Sequence, residues 1–269
     1  MRSKGGATVL RVYLVFLYGF LLLPLAIIIL LSFNASPYGT FPFEPTGRWY
    51  HVLFGQNSQL LSATYLSLKL SLQVAVGGIL LGTPLALWWV RKGGFPKKAA
   101  SLLLMAAVTI PWLILAIAML FLFNAIGLGR SYLSMYLGNL TVALPYVTFL
   151  VAARAATLDP SLEEAARSLG ARSFDVFRFI TWPLLLPAIL AGGMMVFMVT
   201  FNNFVIQYFL APFGVRTLPL EIYTLIRVGY RPDINALATL LVALALLAAF
   251  LLHRLVGARV LAGGEDTLG

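Results

Sequence analysis

The chain has 269 residues, 61% of them hydrophobic and only 10% charged, where a soluble domain carries about 25% charged residues. Mean hydropathy is +0.93, which excludes an ordinary water-soluble domain and makes lipid the relevant solvent. The net charge of +10 comes without the aromatic interleaving of a nucleic-acid surface, and zero cysteines with only His51 and His253 exclude disulfides, thiolate metal sites and a histidine cluster.

Charge-free runs of about 20 residues mark bilayer spans. They predict an all-α integral membrane protein of one domain over 1–269. Its six spans lie at about 10–33, 64–90, 99–125, 131–156, 184–210 and 234–256. Span one follows Arg2, Lys4 and Arg11, and its apolar stretch is longer than the core of a cleaved signal peptide, so it reads as a retained anchor. The run 49–68 holds His51 and the polar patch from Gly55 to Gln59, so it reads as a loop. The segment 91–98, with Arg91, Lys92, Lys97 and Lys98, separates spans two and three. Pro24, Pro84, Pro111, Pro145 and Pro187 fall in or near spans. Proline there is either tolerated as in many membrane helices or bends them around a translocation path.

With the N-terminus inside, the inner segments hold thirteen Lys/Arg against five outside. That excess places both termini in the cytoplasm. Lys69 lies near the outer end of span two, where its stem can snorkel. No internal repeat is evident.

The inner segment 157–183 differs from the rest. Asp159-Pro160 suits an N-cap followed by Pro at the first helical position, and Ser161-Leu-Glu-Glu164 matches a capping box. Gly170 fits the position after the helix where a positive φ is needed. Leu162, Ala165, Ala166 and Leu169 form one apolar stripe, with Glu163, Glu164, Arg167 and Ser168 on the other faces. Phe174, Phe177 and Ile180 follow about one turn apart. Such a helix is too short to span. It either lies on the lipid surface or docks on a partner, and its small stripe favours the partner.

At these residues a family resemblance enters. Glu164-Ala165-Ala166, then Gly170, then Ile180-Thr181-Trp182-Pro183 after nine intervening residues, resembles the signature loop of permease subunits of binding-protein-dependent ABC importers. Trp182 departs from the usual Leu. The resemblance implies that Glu163, Glu164, Ala165, Ala166, Leu169, Gly170, Ile180 and Pro183 dock into a cytoplasmic ATPase. It also implies two ATPase subunits, a second permease subunit that is a different chain, and a soluble binding protein on outer segments 34–63 and 211–233. No cofactor is expected on this chain; ATP and Mg belong to the partner ATPase. Ser32-Phe-Asn34 with Arg48-Trp-Tyr50, and Leu218 to Gly229 followed by Asn235 to Thr239, are similar to the second permease of spermidine/putrescine importers.

In span five those polyamine permeases carry two adjacent Asp where this chain has Asn202-Asn203. The neutral pair leaves the solute open, as a polyamine or another small polar molecule. The pair serves either helix–helix hydrogen bonding or the solute path. Read as one helix, Thr200, Asn203 and Gln207 make a polar stripe. Asn203 and Gln207 are then expected to line the path, with Asn202 beside it. Asn124 and Asn139 read as structural.

Two other classes fit the sequence less well. A stand-alone channel or ion-coupled carrier usually needs ionisable residues deep in the membrane, and no acid falls in the proposed spans. A membrane-embedded enzyme needs a nucleophile with its base or a metal cluster, and His51 and His253 fall on opposite sides. The chain is expected to be a transport subunit rather than an enzyme.

Overall fold

The computed structural model describes residues 4–36, 40, 42–56, 58–91, 95–229 and 231–263. Arg2 and Lys92, which entered the Lys/Arg count, lie outside them, as does the segment 264–269. Among the described residues the elements are helices, with one isolated antiparallel bridge between Asn34 and Pro45. Four helical stretches are long and apolar enough to cross a bilayer: Leu10–Ser32, Ser58–Arg91, Tyr132–Ala155 and Ser173–Phe201. A bent pair makes a fifth if it is one span, and Asp233–Leu247 is a shorter apolar helix.

The chain divides into two compact units, residues 1–61 with 224–269 and residues 62–223. In the first, α1 (Lys4–Ser32) and α2 (Arg48–Gly55) both pack on α12 (Asp233–Gly263). The run 49–68 is therefore not a loop. Trp49 and Leu53 bury one face of α2, and a further helix begins at Ser58. The two halves of the sequence signature hold each other here. The Trp49 indole N–H donates to the Asn34 carbonyl at 2.6 Å, and the Ser32 and Tyr50 hydroxyls share a hydrogen bond of 2.9 Å.

The second unit contains most of α3 (Ser58–Arg91), then α4 (Phe95–Thr109), α5 (Trp112–Ala125), α6 (Tyr132–Ala155), α7 (Pro160–Ser168), α8 (Ser173–Val176), a π turn (Phe177–Thr181), α9 (Trp182–Phe201), α10 (Phe204–Leu210) and the start of α11 (Leu218–Val228). The expected span 99–125 is broken. Helices α4 and α5 meet at 111° around Pro111, which has no N–H to donate and pushes the residue before it out of the helical region. α6 starts where Ser131 caps it by accepting from the Ser134 N–H at 3.1 Å.

The most extensive pairing is α6 with α9. It is close because Gly192 offers no side chain: a Cβ there would stand 2.9 Å from the Val147 Cα. Gly82 on α3 likewise faces the Val147 side chain. Small residues at such crossings let backbones approach, and dispersion replaces the hydrophobic drive that lipid cannot supply.

Candidate functional site

The segment 157–183 folds as a separately capped helix followed by the root of a spanning helix. Asp159 is the N-cap of α7. Its carboxylate accepts from the Ser161 N–H at 2.9 Å, and Pro160 takes the first helical position. That backbone hydrogen bond holds the Asp159 carboxyl below its usual range. The capping box read at Ser161 does not form, because Ser161 lies inside the helix. At the other end Gly170 has φ +87°. Its N–H donates to the Arg167 carbonyl at 3.0 Å, and the Ala171 N–H donates to the Ala166 carbonyl at 3.1 Å. This is the Schellman arrangement, which requires a left-handed residue at Gly170.

Helix α7 buries no side chain. Leu162 is 49% and Leu169 89% exposed, and Glu164 and Ala165 are exposed as well. The side turned inward is polar. Glu163 receives Arg91, the last residue of α3, on Oε1; it also accepts the Thr181 hydroxyl there at 2.7 Å, and Arg167 on Oε2 at 3.3 Å. Sequence spacing gave Glu163 no special place, because its partners lie 72 and 18 positions away.

The chain resumes a helix at Ser173 and remains helical to Phe201. The second half of 157–183 is therefore the start of the spanning helix and not a loop. Pro183 cannot donate to residue 179, and the turn just before it widens into a π turn that absorbs this loss. Ile180 lines a cavity of about 280 Å³ together with Leu87, Leu158, Leu162 and Leu184. Pro183 is exposed.

The second set of expected site residues meets a helix break. α9 ends at Phe201 and α10 begins at Phe204, with Asn202 and Asn203 between them, so the one-helix stripe through Thr200, Asn203 and Gln207 does not exist. Asn203 caps α10 by accepting from the Ile206 N–H at 3.0 Å. The Gln207 amide donates to the Thr200 carbonyl at 2.7 Å across the break. Thr200, Asn203 and Gln207 are all buried, while Asn202 is exposed and donates to the Met198 carbonyl at 3.1 Å. Polar residues here satisfy backbone groups that an interrupted helix leaves open. At the far end of α10, Arg130 closes the carbonyls of Tyr208 and Ala211 at 3.1 and 2.9 Å. Asn139 is buried and donates to the Met135 carbonyl at 2.8 Å, whereas Asn124 is exposed.

Comparison with known proteins gives a consistent result. Residues 78–262 match the family model described as binding-protein-dependent transport system inner membrane component. The spermidine/putrescine transport system permease protein PotC of Escherichia coli (strain K12) is 34% identical over 232 residues, 86% of this chain and 87% of PotC. The putrescine transport system permease protein PotI of the same strain is 33% identical over 258 residues, 93% of this chain and 90% of PotI. The molybdenum transport system permease protein ModB of Mycobacterium bovis is 32% identical over 74% of this chain and 80% of ModB. Among solved structures, a bacterial ABC transporter involved in import of the acidic polysaccharide alginate superposes with TM-score 0.67 at 14% identity, over 96% of this chain and 98% of that one. The MetNI methionine ABC transporter superposes with TM-score 0.55 at 19% identity, over 76% and 95%. The signature residues, the helical fold and these matches converge: the chain belongs to the inner membrane components of binding-protein-dependent transport systems, and is a multi-pass ABC importer permease rather than an enzyme.

Proposed function

We propose that this chain forms half of the translocation path of an importer whose energy comes from ATP and Mg on a separate ATPase. The observation that carries the reading is α7. It is capped at both ends yet buries no residue, and it presents Leu169 outward, 89% exposed. A surface of that kind, on a helix of nine residues, suits a cleft on a protein partner.

In this reading the chain crosses the membrane six times, with the bent α4–α5 pair and α12 each counting as one crossing. Both termini and α7 face the cytoplasm. Two ATPase subunits sit below, a second permease of the same family completes the path, and a soluble binding protein docks on 34–63 and 211–233. Glu164, Ala165 and Leu169 make the ATPase contact, and Gly170 sets the turn that presents them. The solute is of the polyamine class, supported by the names of the relatives PotC and PotI. The exposed Asn202 at the helix break is the member of the Asn pair that meets it.

The test is co-purification of the cognate ATPase with the tagged permease. Leu169→Asp is expected to reduce recovery about tenfold, as loss of an apolar anchor does, with the permease still in the membrane. Undiminished recovery would place docking elsewhere.

A further inference from the structure

We propose that Glu163 is a positioning residue that ties the docking helix to two spanning helices. Movement imposed on α7 then reaches α3 and α9 and is not absorbed in the loops around it. The inference rests on the reading of α7 as the ATPase-docking segment. It separates Glu163 from the docking residues with which its sequence position grouped it.

Apolar packing does not hold α7 in place. The helix buries no residue, and a cavity of about 280 Å³ lies beside it, lined by Leu87, Leu158, Leu162, Ile180 and Leu184. The side chain that turns inward is Glu163, 19% exposed. One carboxylate there gathers donors from three elements: Arg91 at the end of α3, the Thr181 hydroxyl at 2.7 Å, and Arg167 of its own helix at 3.3 Å. Thr181 is 2% exposed and closes the π turn that runs without interruption into α9. A helical root of this kind moves as a body with the rest of its helix, as does the last residue of α3. Several charge-assisted bonds on a single carboxylate fix geometry better than one exposed pair does. The neighbouring cavity leaves α7 room to shift once the tie is cut.

A docking role for Glu163 itself fits less well. Its two oxygens are already engaged inside the subunit, whereas its neighbour Glu164 is exposed and has a free approach from solvent.

The experiment uses the complete importer in proteoliposomes. The chain has no cysteine, so Lys69→Cys on the exposed outer part of α3 supplies a single label on this chain, whose labelling is read from its own band. Its maleimide labelling rate is compared between nucleotide-free and ATP–vanadate-trapped complexes. In the Lys69→Cys parent the rate is expected to change about tenfold on trapping, a typical size for coupling between two sites. With Glu163→Gln or Arg91→Gln added, the ATPase should still co-purify but the nucleotide-dependent change should disappear. The charge exchange Arg91→Glu with Glu163→Arg should restore it.

A response that survives Glu163→Gln overturns the proposal, as does a parent whose labelling ignores nucleotide. Loss of ATPase co-purification in Glu163→Gln alone would make Glu163 a docking or folding residue and also overturns it. Failure of the charge exchange to rescue removes the Arg91 tie. If the ATPase does not co-purify even with the parent chain, it is the reading of α7 that fails, which keeps the two apart.

Discussion

At the scale of single residues, the Asn pair divides its work between backbone and surface. Asn203 supplies an oxygen to the Ile206 N–H, and Asp has the same oxygen, so an Asp-to-Asn exchange preserves the cap while removing charge. Asn203→Leu loses the cap, about 1 kcal/mol, and leaves the break open. It is expected to lower the yield of folded permease in detergent, which size-exclusion profiles would show. Asn202 is exposed and free of that duty. Asn202→Asp should keep assembly intact and shift uptake toward cationic solutes; equal uptake of putrescine and of neutral competitors in variant and wild type would remove Asn202 from the path. Gly170 offers a cleaner case, because a Cβ there would meet nothing within 4 Å and only its φ of +87° resists substitution. The cost of a β-carbon in that region is about 1–2 kcal/mol, and Asn tolerates it better than a β-branched residue. ATPase recovery should therefore fall in the order Gly, Asn, Asp, Val at position 170, and a flat series would show that the turn is dispensable. The Asp159 cap is insensitive to physiological pH. Its carboxyl is held below the usual value by the Ser161 N–H, so its stabilisation is full above about pH 4 and is lost only as pH falls through the depressed value.

At the scale of elements, the α6–α9 crossing depends on the absence of a side chain at Gly192. An added Cβ would stand 2.8 Å from the Val147 Cγ2 and 2.9 Å from backbone on the far side, the Val147 Cα, so relief requires the helices to part. Gly192→Val is expected to destabilise by about 1–3 kcal/mol through overpacking and to lower the apparent melting temperature of purified protein. Gly47, where a Cβ meets nothing, is the control and should tolerate Ala. What the sequence made legible follows from the range of the forces involved. Hydropathy located the long helices, and local capping chemistry gave α7 its true ends at Asp159 and Gly170. The missed features are of two kinds. Pro111 was visible, but whether a proline kinks or breaks a helix depends on what packs around it, and here it turns the chain by 111°. The break at Asn202-Asn203 was hidden because both residues are also tolerated within apolar helices; Gln207 reaching back to the Thr200 carbonyl has no signature in spacing. Nor does a charge census pair Arg91 with Glu163. In that census Arg91 counted only toward orientation, although the structure gives it a partner in another element.

At the scale of the whole molecule, much of the apolar surface remains uncovered. The stretch Leu10–Ser32 buries none of its span window, and Ser173–Phe201 buries 33% of its own, against 61% for Tyr132–Ala155. Lipid covers apolar surface without penalty, so exposure alone does not call for a protein partner. Polar groups are more discriminating: Asn202 at the break is exposed, and although its amide N–H donates to the Met198 carbonyl, in hydrocarbon its side-chain oxygen is costly unless it meets water or another chain. This supports a second permease, or a water-filled path shared with one, against that side of α9. In the proposed orientation, which rests on the excess of inner Lys/Arg, α7 lies in the cytoplasm, where an ATPase can reach it. Ser168→Cys and Phe213→Cys test it in one experiment, because both positions are exposed and the chain supplies no cysteine of its own. A membrane-impermeant maleimide applied to intact cells is expected to label position 213 and to spare position 168 until the membrane is opened. Labelling of position 168 from outside would invert the molecule and leave α7 on the wrong side of the membrane for any ATP-driven partner.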